Sequence, residues 1–503
     1  MSDTFAMPKW DAFDEELFLQ RVRPANWSNP YPRESYDLVV IGAGPAGLVA
    51  VEAAIELGCT VALVERNRLG GNSLNVGSIP SKSIIRAGRL CASVRDAAEF
   101  YTTDTATLQM NYGTVLARMH RIRARIAEYH SAERLRAQGV NLFFGGAHFT
   151  ASNMIEVDGT PLRFKKALIA TGARPATAEI EGLDKVEYRT SATIFDMAQL
   201  PKRLVVIGGG PLGCEMAQAF CRLGSHVSII EENPKFLPRD ERDAAELLSR
   251  SMARDGVEIR LNTAVRAVRL ENGIKVLDTI NAGNKDKVVC DEILLSVGRV
   301  PNIEMLDLNA AGVCVEAGRG IAVDARLQTA NPDIYAAGDV CMDLKFSNAA
   351  AASARIAVQN ALASGNDTLN PMTIPWCTFC EPEIAHIGMH VWDARESAIP
   401  VKTYTVMMQD VDRAIIDGQD LGFVKIHTNE GTDVILGATI VSSRASEMIN
   451  ELAVIMSADI GMAQLAKIVH IYPAQSEAIM LAGLAYEKDR QVSAQRLTAA
   501  STT

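Results

Sequence analysis

The sequence predicts an α/β protein in which one parallel strand–turn–helix–strand unit occurs twice. Three observations carry this. YDLVVIGAGPAGLVAVEAAIELGCTVALVE (36–65) and KRLVVIGGGPLGCEMAQAFCRLGSHVSIIE (202–231) align without a gap at a constant offset. Each opens on an apolar run without polar alternation, as a central parallel strand buried on both faces requires. Each then passes through G-x-G-x-x-G into a helix ending Leu-Gly, and closes on a short apolar strand ending in Glu.

Each part has a physical role in a Rossmann-like dinucleotide-binding unit. Gly42 and Gly208 make the tight turn, Gly44 and Gly210 let backbone approach a pyrophosphate, and Gly47 and Gly213 let the helix pack on its strand. The helix N-terminus supplies unpaired N–H groups and the positive end of the dipole to an anion. Glu65 and Glu231 stand where an acid accepts hydrogen bonds from ribose hydroxyls. Two such units imply two dinucleotides, a flavin and a nicotinamide. A carboxylate at Glu231, followed by Glu232 and Asn233, repels a 2′-phosphate and favours NADH over NADPH. Lys235 and Arg239, a little downstream, keep NADPH open.

Composition sets the remaining bounds. The chain has 503 residues, 48% hydrophobic and 22% charged, with a formal charge of −10. That is a globular balance sized for about three domains. No basic block offers itself to nucleic acid. The acidic N-terminus lacks the apolar core of a signal peptide. Leu38 to Val51 is uncharged, but it is short and interrupted by glycines, so it reads as a strand entering a helix and not as a membrane span. The 9 cysteines are scattered through apolar segments, a usage that suits a reducing, cytoplasmic setting. Residues 1–35 read as an extension docked on the body.

Beyond the first unit comes LGGNSLNVGSIPSKSIIRAG (69–88), followed by ATGARP (170–175), SVGRVPN (296–302), NPDIYAAGDV (331–340), IPWCTFCEPEIAHIG (374–388), DVDRAIIDGQDLGFVKI (410–426) and HIYPAQSEA (470–478). In this order the motifs resemble the pyridine nucleotide–disulfide oxidoreductases, which include dihydrolipoamide dehydrogenase, glutathione reductase and mercuric reductase. The resemblance runs from about residue 36 to 488. It implies an FAD-binding domain over 36–184 and 300–368, an NAD(P)-binding domain over 185–299, an α+β dimerisation domain over 369–488 and a flexible tail over 489–503. It also implies that Gly71, Lys82, Thr171, Gly172, Arg299, Gly338 and Asp339 bind FAD, with Asp339 on the ribityl chain. Two-fold dimers are implied too, with the C-terminal motif of one subunit facing the flavin of the other. The apolar run 434–441 suits an interface sheet.

Departures from the family pattern carry the functional reading. The family's dithiol lies in G-G-x-C-L-N-x-G-C-I-P-S-K, and here both sulfur positions are serine, Ser73 and Ser78. A hydroxyl neither ionises near neutral pH nor forms a disulfide, so it cannot relay electrons as a thiolate does. Relatives that reduce disulfides place His before the C-terminal Pro; here Tyr472 precedes Pro473, while Glu477 is kept and His470 points elsewhere. Lys82 and Glu215 are retained. The resemblance makes them an ion pair beside the flavin on the nicotinamide side.

Smaller signals read as structural. Cys377-x-x-Cys380 lies in a segment read as a strand ending at Pro382, with the two thiols on opposite faces. No Cys/His set has metal spacing. Pro211 stands where many relatives carry a Tyr, or presets the helix start. Asn348 stands where relatives often have His. Met110 to Arg136 reads as one long helix with Arg118, Arg121, Arg123 and Arg125 on a solvated face, and residues 285–287 as a hairpin loop.

Three functions fit. The first is an FAD-dependent NAD(P)H oxidoreductase passing electrons straight to a small-molecule acceptor (quinone, dioxygen, metal complex or organic substrate), with Lys82, Glu215, Tyr472, Glu477, Ser73 and Ser78 around the reaction. In it, Tyr472 donates a proton only if its pKa is lowered. The second is a dithiol reductase seen as a Cys-to-Ser variant. The third is a non-catalytic flavoprotein with a structural or sensing role.

Overall fold

The computed structural model describes residues 10–97, 110–370 and 373–501. Helix α1 (Trp10–Val22) leads into strand β1 (Tyr36–Ile41), helix α2 (Pro45–Glu56) and strand β2 (Val61–Glu65). Then come α3 (Gly71–Asn75), α4 (Ser78–Asp96), α5 (Tyr112–Ala127), α6 (Ala132–Ala137) and β3 (Asn141–Phe144). Strands β4 (Ala147–Ala151), β5 (Met154–Val157) and β6 (Thr160–Ile169) complete the first sheet, in the order β3-β2-β1-β6-β5-β4, with Ile334–Ala336 pairing on β6. Strands β1, β2, β3 and the end of β6 run parallel. Leu38, Val39 and Val40 are buried, as an apolar run without alternation dictates. Each such side chain contributes roughly 1.5–3 kcal/mol by leaving water.

After the short strand β7 (Ala173–Pro175), the second unit repeats the first in register. Strand β8 (Arg203–Ile207), helix α7 (Pro211–Arg222) and β9 (His226–Ile230) form a parallel sheet with Glu258–Arg260 outside β9 and Glu292–Leu295 outside β8. Leu38 faces Val61 in the first unit, and the equivalent Leu204 faces Val227 in the second. A three-stranded antiparallel sheet (263–290) follows this unit.

The C-terminal region is a five-stranded antiparallel sheet, with Ile435–Ser442 between Glu383–Gly388 and Phe423–Asn429. This corrects the interface assignment of 434–441: Ala438, Ile440 and Val441 are core. Exposed apolar side chains lie at Val434, the first residue of that run, and at Ile415, Ile416, Val454, Val469 and Ile471.

Other expectations change. The segment Met110 to Arg136 is two helices separated by a 3-10 turn at Glu128–His130. Arg123 on it is buried, not solvated, because Glu15 of α1 neutralises it. Residues 285–287 lie in the strand Asn284–Cys290, and the turn falls earlier, where Gly283 takes a positive φ of 87°. The helix Glu477–Ser501 runs through most of the expected flexible tail, since neither Gly nor Pro stops it after Gly483. Among the described residues, no helix is long and apolar enough to cross a membrane.

Candidate active site

The two glycine loops are built alike. A Cβ on Gly42 would sit 2.5 Å from the Ala170 carbonyl oxygen, and one on Gly208 2.4 Å from that of Ser296. Both residues hold φ near +100°, which favours glycine. A Cβ on Gly47 or Gly213 would strike the Gly42 or Gly208 oxygen, at 1.8 and 2.2 Å. Glu65 accepts from the Ala43 and Asn67 N–H groups at 2.9 and 2.7 Å, and Glu231 from those of Gly209 and Asn233 at 2.6 and 2.7 Å. Each acid therefore braces its own loop. Burial pushes the Glu65 carboxyl up. Pro211 occupies the first helical position, as Pro45 does in the first unit, so presetting φ accounts for it.

These loops fit dinucleotides. Nothing lies within 4 Å of a Cβ built on Gly210, so backbone is open to a ligand there. The first-turn amides of α2 and α7 have no helical carbonyl ahead of them. In the first unit a second segment arrives: a Cβ on Gly71 would be 2.6 Å from the Gly44 Cα, so the two backbones touch. Asn72 Nδ2 donates to the Ala173 carbonyl at 2.6 Å and ties this segment to residues 171–175. There Thr171 Oγ1 donates to the Asn302 carbonyl at 2.7 Å, and the Gly172 carbonyl accepts from the Asn302 N–H at 2.9 Å. Arg299 donates to the Ala173 carbonyl at 3.0 Å and lies 3.3 Å from Asp339. Asp339 follows Gly338, whose N–H donates to Ser353 Oγ at 3.1 Å; burial raises the Asp339 carboxyl above its ordinary range. Residues from four distant segments thus converge beside Gly44.

Lys82 and Glu215 meet. The ammonium on α4 is 2.8 Å from the Glu215 carboxylate on α7, which is buried, and 4.2 Å from the centre of the Phe379 ring. The other Glu215 oxygen accepts from the Phe379 N–H at 3.0 Å. A cation here is held by a carboxylate and an aromatic face together. Phe379 escaped the sequence reading, although it lies inside Cys377-x-x-Cys380. That segment is a hairpin, with Trp376–Thr378 paired on Glu383–Gly388, and not one strand ending at Pro382. Burial pushes both thiols well above the ordinary cysteine range, which suits structural cysteines.

Ser73 and Ser78 stand on successive helices, α3 and α4. The Ser73 hydroxyl shares a hydrogen bond with that of Ser347, one residue before Asn348. Ser347 was also missed, because a serine opening an alanine-rich helix looks like an ordinary helix start. Asn348 donates to the Pro375 carbonyl at 2.8 Å.

Within one chain the C-terminal motif stands apart from this cluster. Tyr472 is exposed and donates to Asp412 at 2.6 Å; the Asp412 charge raises the phenol, so the lowered pKa that proton donation requires is not provided. Glu477 opens the last helix. His470 binds Glu451 at 2.6 Å, turned away as expected. Among the described residues, no group of three or more His, Cys, Asp or Glu could hold a metal ion.

The family model "Pyridine nucleotide-disulphide oxidoreductase" matches residues 36–361, and its dimerisation-domain model matches 374–482. The chain belongs to this family. Within it, the chain is 30% identical to a mercuric reductase of Lysinibacillus sphaericus, over 91% of this chain and 83% of the relative. It is 32% identical to a dihydrolipoyl dehydrogenase of Thermus scotoductus, over 90% of this chain and 98% of the relative. Among solved structures, the Cu(II) complex of the HOCl-induced flavoprotein disulfide reductase RclA from Escherichia coli superposes with a TM-score of 0.79 at 25% identity, covering 90% of this chain and 100% of that one. The chain is therefore a flavoprotein oxidoreductase of the FAD- and pyridine nucleotide-dependent kind, with a domain built for dimerisation.

Proposed function

We propose that this family member takes a hydride from NADH and passes the electrons from reduced FAD directly to a non-disulfide acceptor. One observation carries the reading: the Lys82–Glu215 pair is assembled at 2.8 Å, while positions 73 and 78 hold hydroxyls. When bound, FAD supplies the two-electron chemistry. The protein supplies position and charge. The glycine loops and the N-termini of α2 and α7 hold the two pyrophosphates. Asp339 and Thr171 provide polar contacts for the flavin nucleotide. Lys82, fixed by Glu215 and Phe379, keeps a positive charge where negative charge accumulates on reduction. Ser73, paired with Ser347, offers an O–H donor to an acceptor oxygen. Tyr472, from the partner in a homodimer, has its single O–H committed to Asp412 and serves as a polar contact and not as an acid. Quinone, dioxygen, a metal complex and an unsaturated organic substrate are the acceptor classes this fits. The structural relative RclA is known as a Cu(II) complex, which keeps the metal complex among them.

Anaerobic titration of the purified protein with NADH tests the proposal. Uptake of two electrons per subunit, without a long-wavelength thiolate–flavin charge-transfer band, is expected. Uptake of four electrons would restore a sulfur relay, and absence of flavin bleaching would leave a scaffold; either result overturns the reading.

A further inference from the structure

The extension ahead of the first unit touches the segment that closes over Gly44. The Val22 carbonyl at the end of α1 accepts the Leu69 N–H at 3.1 Å. Glu15, on α1, reaches Arg123 on α5 at 2.5 Å, and its second neighbour His120 at 3.3 Å. Arg123 is only 3% exposed and lies 4.3 Å over the Phe18 ring of α1. Its other terminal nitrogen donates to the Asn75 carbonyl at 3.2 Å. Asn75 Nδ2 in turn donates to the Leu69 and Gly71 carbonyls at 3.0 and 2.8 Å. Gly71 is the residue whose backbone lies against Gly44. An unbroken line of contacts therefore runs from Glu15 to the first glycine loop.

We infer that α1 positions the flavin loop through this line, with Glu15 and Arg123 as positioning residues for FAD. The inference rests on the proposed assignment of the first unit to FAD. The guanidinium suits the role because its planar fork binds a carboxylate and a carbonyl at once. Without Glu15 it would be a buried charge lacking its partner, and it would turn from the Asn75 carbonyl toward water. Residues further along the extension do a different job. Asn29 exchanges hydrogen bonds with Phe144 at 2.9 and 2.8 Å, on β3, and makes none to the segment 69–77.

Variants of the full-length holoprotein test this by FAD dissociation constant, flavin midpoint potential and thermal midpoint. Glu15→Gln and Arg123→Lys should weaken FAD binding about tenfold, or ~1.4 kcal/mol, and shift the potential. Arg123→Lys keeps the charge pair but loses the fork. Asn29→Ala should lower the thermal midpoint and leave FAD affinity unchanged. If Glu15→Gln and Arg123→Lys lower the thermal midpoint alone, the brace is merely structural and the inference falls. Glu15→Gln, the gentler change, decides the matter if Arg123→Lys does not fold. A wild-type chain that takes up no FAD would overturn the assignment of the first unit, a result distinct from unchanged affinity in the variants.

Discussion

The two glycine loops share strand register, helix start and bracing acid, yet their surroundings differ. The first is closed over by the segment 69–77, whose Gly71 lies on Gly44, and beyond it stand Thr171, Arg299 and Asp339. The second has open space at Gly210, and the segment after β9 leads through Asp240 into the helix Arg242–Asp255. A local motif thus fixes that a pyrophosphate can be held. What packs over it decides whether the site is enclosed, as a retained cofactor needs, or open, as an exchanging cosubstrate needs.

The strongest test of this contrast is steric. Gly47→Val and Gly213→Val each drive a side chain into a loop carbonyl, and each should weaken its own dinucleotide at least ~100-fold. Gly47→Val should purify without flavin. Gly213→Val should keep its flavin and raise the KM for NADH. Swapped phenotypes would exchange the assignments of the two units.

A smaller effect is expected at Glu231. Glu231→Gln removes the charge and keeps one oxygen, which can accept from only one of the Gly209 and Asn233 N–H groups. The ratio of kcat/KM for NADH over NADPH should fall roughly tenfold, by ~1.4 kcal/mol. An unchanged ratio would show that this acid braces the loop without selecting the nucleotide.

A further test concerns pH. Burial pushes the Asp240 carboxyl up to about 7, from an ordinary 3.8. Its folded pKa is raised, so the native state binds the proton more tightly than the unfolded chain across that window. Stability should be highest below pH 4 on this account and decline as pH rises to about 7. Asp240→Asn should flatten that part of the profile, gaining stability at pH 8 and little at pH 4, as read from urea midpoints. An unaltered slope would assign it to other groups.

Much of this site was legible in residue order because strand burial, glycine turns and helix starts are local. Gly42, Gly47, Gly208 and Gly213 needed only their own unit to be understood. Arg123 was misread because helical periodicity cannot show that an acid from α1 will lie across it. Ser347 and Phe379 were missed because their partners, Ser73 and Lys82, come from remote segments. The run 434–441 looked like interface because an apolar strand is equally at home in a sheet's interior.

The sequence alone determined two dinucleotide units and the serines at 73 and 78, since each depends on side-chain type or near-neighbour sterics. Only the tertiary structure decided which loop is closed over, what holds Lys82 and what α1 grips. Those outcomes depend on groups far apart in the chain reaching hydrogen-bond distance, and no local pattern encodes that.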